Sequence, residues 1–400
     1  MKKLVIIPLS FFSIVLSSCK SEITGQAITE STFGNKIKTA LISQMAGVGQ
    51  VAMTGFSWIG DIIPENRVSN PENNIMNQSG LTATYNRSQR ASLKPEITSD
   101  YVFIYEPQGD VFKGPDTENL VTGKYYPSWQ PNDHCFIKDR TGIWHAFGIT
   151  HPSSNPGERL HQGEYSLFHI SPGTISANIS SANTTGNVSG DLFAPGSWKD
   201  QPKVLNPSER PGENLFIFAP DIIKKDEQYV MIYGPAPLRM ATSQNLLEWT
   251  PLGPIGVATN SSDRDPNFML YDGVYYLTYC AGNSIRTATS TNLRDWTAPV
   301  EIFRPEKESY QCESPFLMHH EGMFYLFWCV WDSGDRNGNA YDDRTFVYCS
   351  DNPLDFKGKP LLAELKAHAP EIIRDDNGQW YISSAEYPKR GISIAKLSWK

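Results

Sequence analysis

Between Arg264 and Trp296 apolar and polar positions alternate around tight turns. An apolar run, Phe268 to Tyr271, meets Asp272-Gly273 and then an aromatic run, Tyr275 to Tyr279. Asp-Gly between two alternating runs marks a hairpin, because the central residues of a two-residue turn take positive φ. Thr287 to Thr289, then Asn292-Leu293 and Trp296, extend the pair into an antiparallel sheet of short strands, with Asp265 at its entrance.

The unit recurs. Ala241, Thr242, Ser243, Asn245, Leu246 and Trp249 match Ala288, Thr289, Ser290, Asn292, Leu293 and Trp296 at a constant offset of 47. Its opening half appears five times, from Asn132, Ala219, Arg264, Cys312 and His368. A four-strand unit repeating every ~40–50 residues predicts a propeller blade. The expectation is an all-β, five-bladed propeller over residues 96–400. An irregular β-sandwich gives no reason for the constant offset. The last blade reaches Trp399 with three strands of its own, so Tyr101 to Tyr105 is expected to supply the missing outer strand and close the ring.

The chain before the propeller reads differently. Lys2 and Lys3 precede an apolar run from Leu4 to Leu16, too short to span a membrane. Leu16-Ser17-Ser18-Cys19 resembles the lipobox of bacterial lipoproteins. That resemblance implies a signal peptide over residues 1–18 and a lipid on Cys19. The lipid would anchor the chain at the outer membrane or cell surface, or on the periplasmic face. The competing reading is an ordinary signal peptide cut nearby. Residues 19–95 are expected to form a tether and a poorly structured extension with room for a short helix. Ile37, Ala40, Leu41 and Met45 stand at helical spacing within it.

Composition narrows the partners. A net charge of -8 argues against nucleic acid. Beyond Cys19 there are five cysteines, an odd number without any CxxC, which suggests buried strand thiols rather than a disulfide framework or zinc site. The acids between Trp331 and Arg344 lack the glycine and glutamate placement of a calcium loop, so no metal site is expected.

Equivalent positions on the innermost strands of a propeller surround one axis, so acids there meet at one channel mouth. Counted back from each hairpin turn, Asp133, Asp265 and Glu313 lie deepest, with His368 at that place in blade five. Asp221 and Glu371 follow Ala-Pro and lie farther along their strands. Converging carboxylates repel, which keeps a proton bound near neutral pH. An acid and a base across a sugar bond is the arrangement of glycoside hydrolysis.

These residues also resemble a family. The propeller part is similar to the five-bladed glycosidases of glycoside hydrolase families 43, 32, 62, 68 and 117. Trp129 to Asp133 resembles the WMNDP motif of family 32, whose Asp is the nucleophile; family 43 has a base Asp at the matching place. Arg264-Asp265-Pro266 is similar to the RDP motif of family 32 and to the blade-three Asp of family 43 that tunes the acid. Glu313-Ser314-Pro315 resembles the Glu-Gly-Pro acid of family 43, and Ala219-Pro220-Asp221 its blade-two motif, with Phe218 replacing Trp. His368 matches a blade-five His that sits near the axis, sometimes beside a bound ion. His134 stands where family 32 has Pro-Asn-Gly, a departure that weighs against a fructan substrate.

The resemblance implies Glu313 as general acid, Asp133 as base and Asp265 as tuning residue. It implies inversion, a carbohydrate substrate, no required cofactor and a structural ion near His368. The blade layout, with base and acid in non-adjacent blades, also favours the wide spacing of inversion. Trp129, His134, His151, Asp221, Arg264, His368 and Glu371 are candidate substrate-binding residues. Two other classes stay open: a phosphorylase or transferase, drawing on Arg264 for phosphate with Arg239 and Arg286 as further candidates, and a non-catalytic glycan-binding protein.

Overall fold

The computed structural model describes residues 92–106, 118–119, 124–125, 129–152, 164–172, 198–332, 343–389 and 391–400. The leader with Cys19 and the proposed helix lie outside them, as do the side chains of Trp129 and His151. The chain divides into Met1–Thr84 and Tyr85–Lys400, and every described residue belongs to the second unit.

Four antiparallel sheets run in sequence order, each a blade of four strands. Blade one comprises Trp129–Lys138, Trp144–Pro152, Leu167–Pro172 and Trp198–Val204. Blade two comprises Phe218–Lys225, Gln228–Gly234, Arg239–Ser243 and Thr250–Pro254. Blade three comprises Asp263–Tyr271, Val274–Ala281, Ser284–Ser290 and Val300–Phe303, and blade four Tyr310–His320, Met323–Asp332, Arg344–Ser350 and Leu361–Lys366. The fifth blade joins the two ends of this unit. Ile372–Arg374, Trp380–Ala385 and Ile392–Trp399 form its inner part. Two segments preceding blade one, Pro95–Ile97 and Val102–Tyr105, both pair antiparallel with Ile392–Trp399. Ring closure therefore uses Val102–Tyr105, as its strand pattern implied, with Pro95–Ile97 continuing the edge.

Side-chain alternation explains why the blades stack. Along the second strand of blade two, Tyr229, Met231 and Tyr233 pack with blade one, while Val230 and Ile232 pack with blade three. Successive residues of a strand face opposite ways, so a strand buried on both sides is apolar throughout. Five such clusters fill the five spaces between neighbouring blades and leave none unpaired. The five cysteines are free thiols, four buried and Cys349 partly exposed.

The repeat is visible at atomic level. Ser243 Oγ accepts Leu246 N at 2.8 Å, and Ser290 Oγ accepts Leu293 N at 2.9 Å. Leu246 and Leu293 share a φ of 64°. Asp272 (φ 49°) and Gly273 (φ 75°) make the positive-φ hairpin turn that their dipeptide predicts.

Candidate active site

Each innermost strand carries a one-residue bulge at its start. The pairing steps from Pro131↔Thr150 to His134↔Gly148 in blade one and from Phe218↔Gly234 to Asp221↔Ile232 in blade two. It steps from Arg264↔Cys280 to Asn267↔Thr278 and from Glu313↔Cys329 to Phe316↔Phe327 in blades three and four. In blade five Ala385 N donates to His368 O, and Ser383 N to Glu371 O, in the same pattern. A bulge breaks two-residue alternation and re-aims side chains, here towards the channel.

The bulge defines four positions, and the acids do not share one register, as the counts from the turns had implied. Glu313 stands at the first position, with Arg264 and His368. Asp265 stands at the second, with Asn132 and Ser314. Asp133 stands at the third, where the other four blades have Pro220, Pro266, Pro315 and Pro370. Counting from a turn assumes unbroken alternation, and the inserted residue removes it. Ala219, Asp265, Ser314 and Ala369, each before its proline, have φ of 37°, 53°, 46° and 46°. Left-handed backbone costs a non-glycine residue on the order of 1–2 kcal/mol, so the surrounding sheets must hold this shape. Asp221 and Glu371 take the fourth position, farther along their strands, as the counts did imply.

The acids nevertheless meet across the channel. Ser314 Oγ of blade four donates to Asp133 Oδ1 of blade one, and Ser314 N donates to Asp265 Oδ2 of blade three at 3.2 Å. Arg264 forms an ion pair with Asp265, lies 3.3 Å from Glu313 Oε1, and donates to Cys312 O at 3.1 Å. One serine and one arginine thus tie three carboxyl groups together. Burial pushes Asp133 up to about 6 and the Glu313 charge adds to it, against the Ser314 hydroxyl. Burial also raises Asp265 to about 6, against the pull of Arg264. Glu313 is raised by burial and by Asp265, with Arg264 opposing. The Arg264 guanidinium is held fully charged by Asp265, Glu313 and Asp133 despite its own desolvation.

Two of the candidates for substrate contact have polar atoms bonded within the protein. Asp221 accepts Ile222 N at 2.7 Å, Asn267 Nδ2 at 3.1 Å and Phe268 N, which clamps blade two to blade three. Asn267 Oδ1 in turn accepts Leu317 N of blade four at 2.9 Å. His134 Nδ1 lies 3.1 Å from Asn132 O and its Nε2 lies 2.8 Å from Ser383 Oγ. A carbonyl only accepts, so Nδ1 carries the proton and Ser383 donates to Nε2. Burial pushes His134 down to about 4, so it stays neutral and both ring nitrogens are used inside the protein.

His368 is buried, with Nε2 3.2 Å from Asn132 Oδ1 and its backbone N donating to Ser384 Oγ. A hard cation takes six to eight oxygens. Among the described residues no three His, Cys, Asp or Glu side chains group to hold one. Arg239 donates to Pro235 O and Pro237 O at 3.0 Å and lies 3.8 Å from Glu213. Arg286 belongs to the third strand of blade three, away from the channel. Neither reaches the acids. Asn132, Asn267, Ser314 and Ser383 were not singled out from the sequence. The recurring X-Pro dipeptides at 219, 265, 314 and 369 carried the signal for the bulge, and with it for Ser314.

No family model matches the chain, and no curated protein matches it. Solved structures similar to it include a thermostable family-43 glycoside hydrolase, at 14% identity over 68% of this chain and 89% of that one, with a TM-score of 0.48. The GH43_1 enzyme from Xanthomonas citri in complex with xylose is 14% identical over 68% of this chain and 86% of that one, with a TM-score of 0.47. The β-fructofuranosidase BmSUC1 of Bombyx mori, from family 32, is 16% identical over 67% and 59%, with a TM-score of 0.45. The likeness to these structures is one of fold.

Proposed function

We propose that the chain is a glycoside hydrolase that inverts configuration at the anomeric carbon. The observation that carries this reading is the convergence of Asp133, Asp265 and Glu313, from three blades, on Ser314 and Arg264 at one channel mouth. Glu313 is the general acid: burial and the Asp265 charge favour its protonated form, which donates to the leaving oxygen. Asp133 is the base that takes a proton from the attacking water, oriented by the Ser314 hydroxyl. Asp265, ion-paired with Arg264, tunes Glu313 and offers an oxygen to a sugar hydroxyl. The lipobox-like Leu16 to Cys19 supports export and lipid attachment; loss of radiolabelled-lipid incorporation in Cys19→Ala would test it, and unchanged incorporation would exclude Cys19.

The test is incubation with a panel of polysaccharides and oligosaccharides, with and without phosphate, followed by product analysis. Free reducing sugar independent of phosphate is expected; sugar phosphate would make the protein a phosphorylase, and no product at all would favour glycan binding alone. Proton NMR of the first-formed anomer then reads the stereochemistry. Inversion needs carboxyl groups about 6.5–9.5 Å apart and retention about 5–5.5 Å. An anomer matching the substrate, or a sugar trapped on Asp133, would overturn the assignment.

A further inference from the structure

Beneath the three acids, the fourth bulge position makes a second layer around the axis. It holds His134, Asp221, Asn267, Phe316 and Glu371, one from each blade. Three of its polar side chains have direct partners in neighbouring blades: His134 on Ser383, Asp221 on Asn267 and Phe268, Asn267 on Leu317. The Glu371 backbone is fastened too, its N–H donating to Ser383 Oγ at 3.0 Å. Glu371 lines a cavity together with Asp133, His134, Asp265, Asn267 and Ser314. That cavity offers about 20 Å³ to the centre of a water molecule, and about 10–15 Å³ is enough to hold one water.

We propose that Glu371 is a positioning residue for Asp133, acting as a neutral carboxylic acid that reaches Asp133 through one water in this cavity. The inference rests on the reading of Asp133 as the base. The groups facing Glu371 decide which carboxyl keeps a proton. Asp133 and His134 come from blade one, Asp221 from blade two and Asp265 from blade three. No Lys or Arg is among the described residues lining the cavity. Asp221 has three N–H donors, and Asp133 has the Ser314 hydroxyl with Arg264 nearby. His134 is neutral and its nitrogens are engaged. Glu371 is the carboxyl least provided with donors, so of the three it holds its proton most firmly. Burial and the charges of Asp221 and Asp133 push in the same direction, well above the usual carboxylate range. A protonated carboxyl donates one hydrogen bond, and a bridging water passes that donation on almost as well as direct contact.

Two variants separate this role from simple space filling. Glu371→Gln keeps a neutral donor of the same shape; Glu371→Ala removes it. In ¹³C-aspartate-labelled protein, the Asp133 carboxyl is assigned by its loss in Asp133→Asn and titrated without any substrate. The Asp133 midpoint should stay within about 0.3 units in Glu371→Gln, because a neutral group replaces a neutral group. A fall of about one unit or more would mean that Glu371 was an anion, and would overturn the proposal. On a hydrolysed glycan, Glu371→Gln should keep kcat within about threefold, while Glu371→Ala loses about tenfold or more in kcat with KM nearly unchanged. Equal activity of the two variants at equal thermal stability would also overturn it. If the wild type hydrolyses nothing while the titration behaves as expected, the enzymatic reading fails and the protonation of Glu371 stands.

Discussion

Asp221→Asn tests the electrostatics of the deeper layer. Three N–H groups point at this carboxylate, yet burial outweighs them and pushes its pKa from 3.8 to about 7. A carboxyl whose folded value lies above its unfolded value takes up a proton on folding between those limits. Its stability contribution is complete below about pH 3.8 and is lost as pH rises through about 7. A span of about three units corresponds to about 4 kcal/mol. Asparagine does not ionise and escapes this loss. It does turn an NH₂ group towards a ring of donors, and an N–H left without its acceptor costs about 1–3 kcal/mol. The variant should therefore be less stable than the wild type by about 1–3 kcal/mol near pH 4, and more stable by about the same amount near pH 8. Urea unfolding followed by tryptophan fluorescence at both pH values measures the difference, and groups common to both proteins cancel from it. A destabilisation of equal size at both pH values would refute the reasoning and show that Asp221 is ionised throughout. Activity at pH 6 should fall far less than in Asp133→Asn, since Asp221 clamps blades and touches no reacting atom.

The remaining predictions concern the acids and their support. Glu313→Ala should lose about a hundredfold to ten-thousandfold on a natural glycan, and much less on an aryl glycoside whose leaving group needs no proton; equal losses on both would remove Glu313 as the acid. The acidic limb of kcat/KM should fall near pH 6, where Asp133 must ionise to act as base, while Glu313, raised by burial, must keep its proton to act as the acid. A profile flat from about pH 5 to 8 would exclude that pairing. Gly148→Ala would place a methyl group 2.5 Å from Phe168 Cε1 and 2.7 Å from Asp133 O. It should destabilise by about 1–3 kcal/mol and depress kcat more than KM, because the backbone that carries the base must move; denaturation curves and steady-state kinetics check both.

The blades were legible because their causes are local. Asp272-Gly273 specifies its turn through the φ of two residues, and the apolar runs on either side belong to strands buried on both faces. The 47-residue offset repeats the turn around Leu246 and Leu293 down to its serine–backbone bond. The motif residues of blades one, three and four were legible too, since strands that begin beside one axis bring their first side chains to one mouth.

The sequence by itself determined the blade count, the closing strand and the acids that meet. Tertiary structure decided what each acid touches. The bulge shifts Glu313, Asp265 and Asp133 to three successive positions, a displacement that no count from a turn reveals. It also makes Asp221 a clamp between blades and turns both nitrogens of His134 inward, while Glu371 lines the cavity that Asp133 also lines. Such assignments depend on donors supplied by other blades, such as Ser314 for Asp133 and Phe268 for Asp221, which lie 181 and 47 residues away along the chain. Hydrogen bonds and charge act over a few ångströms of space, and only the closed ring brings those partners that close.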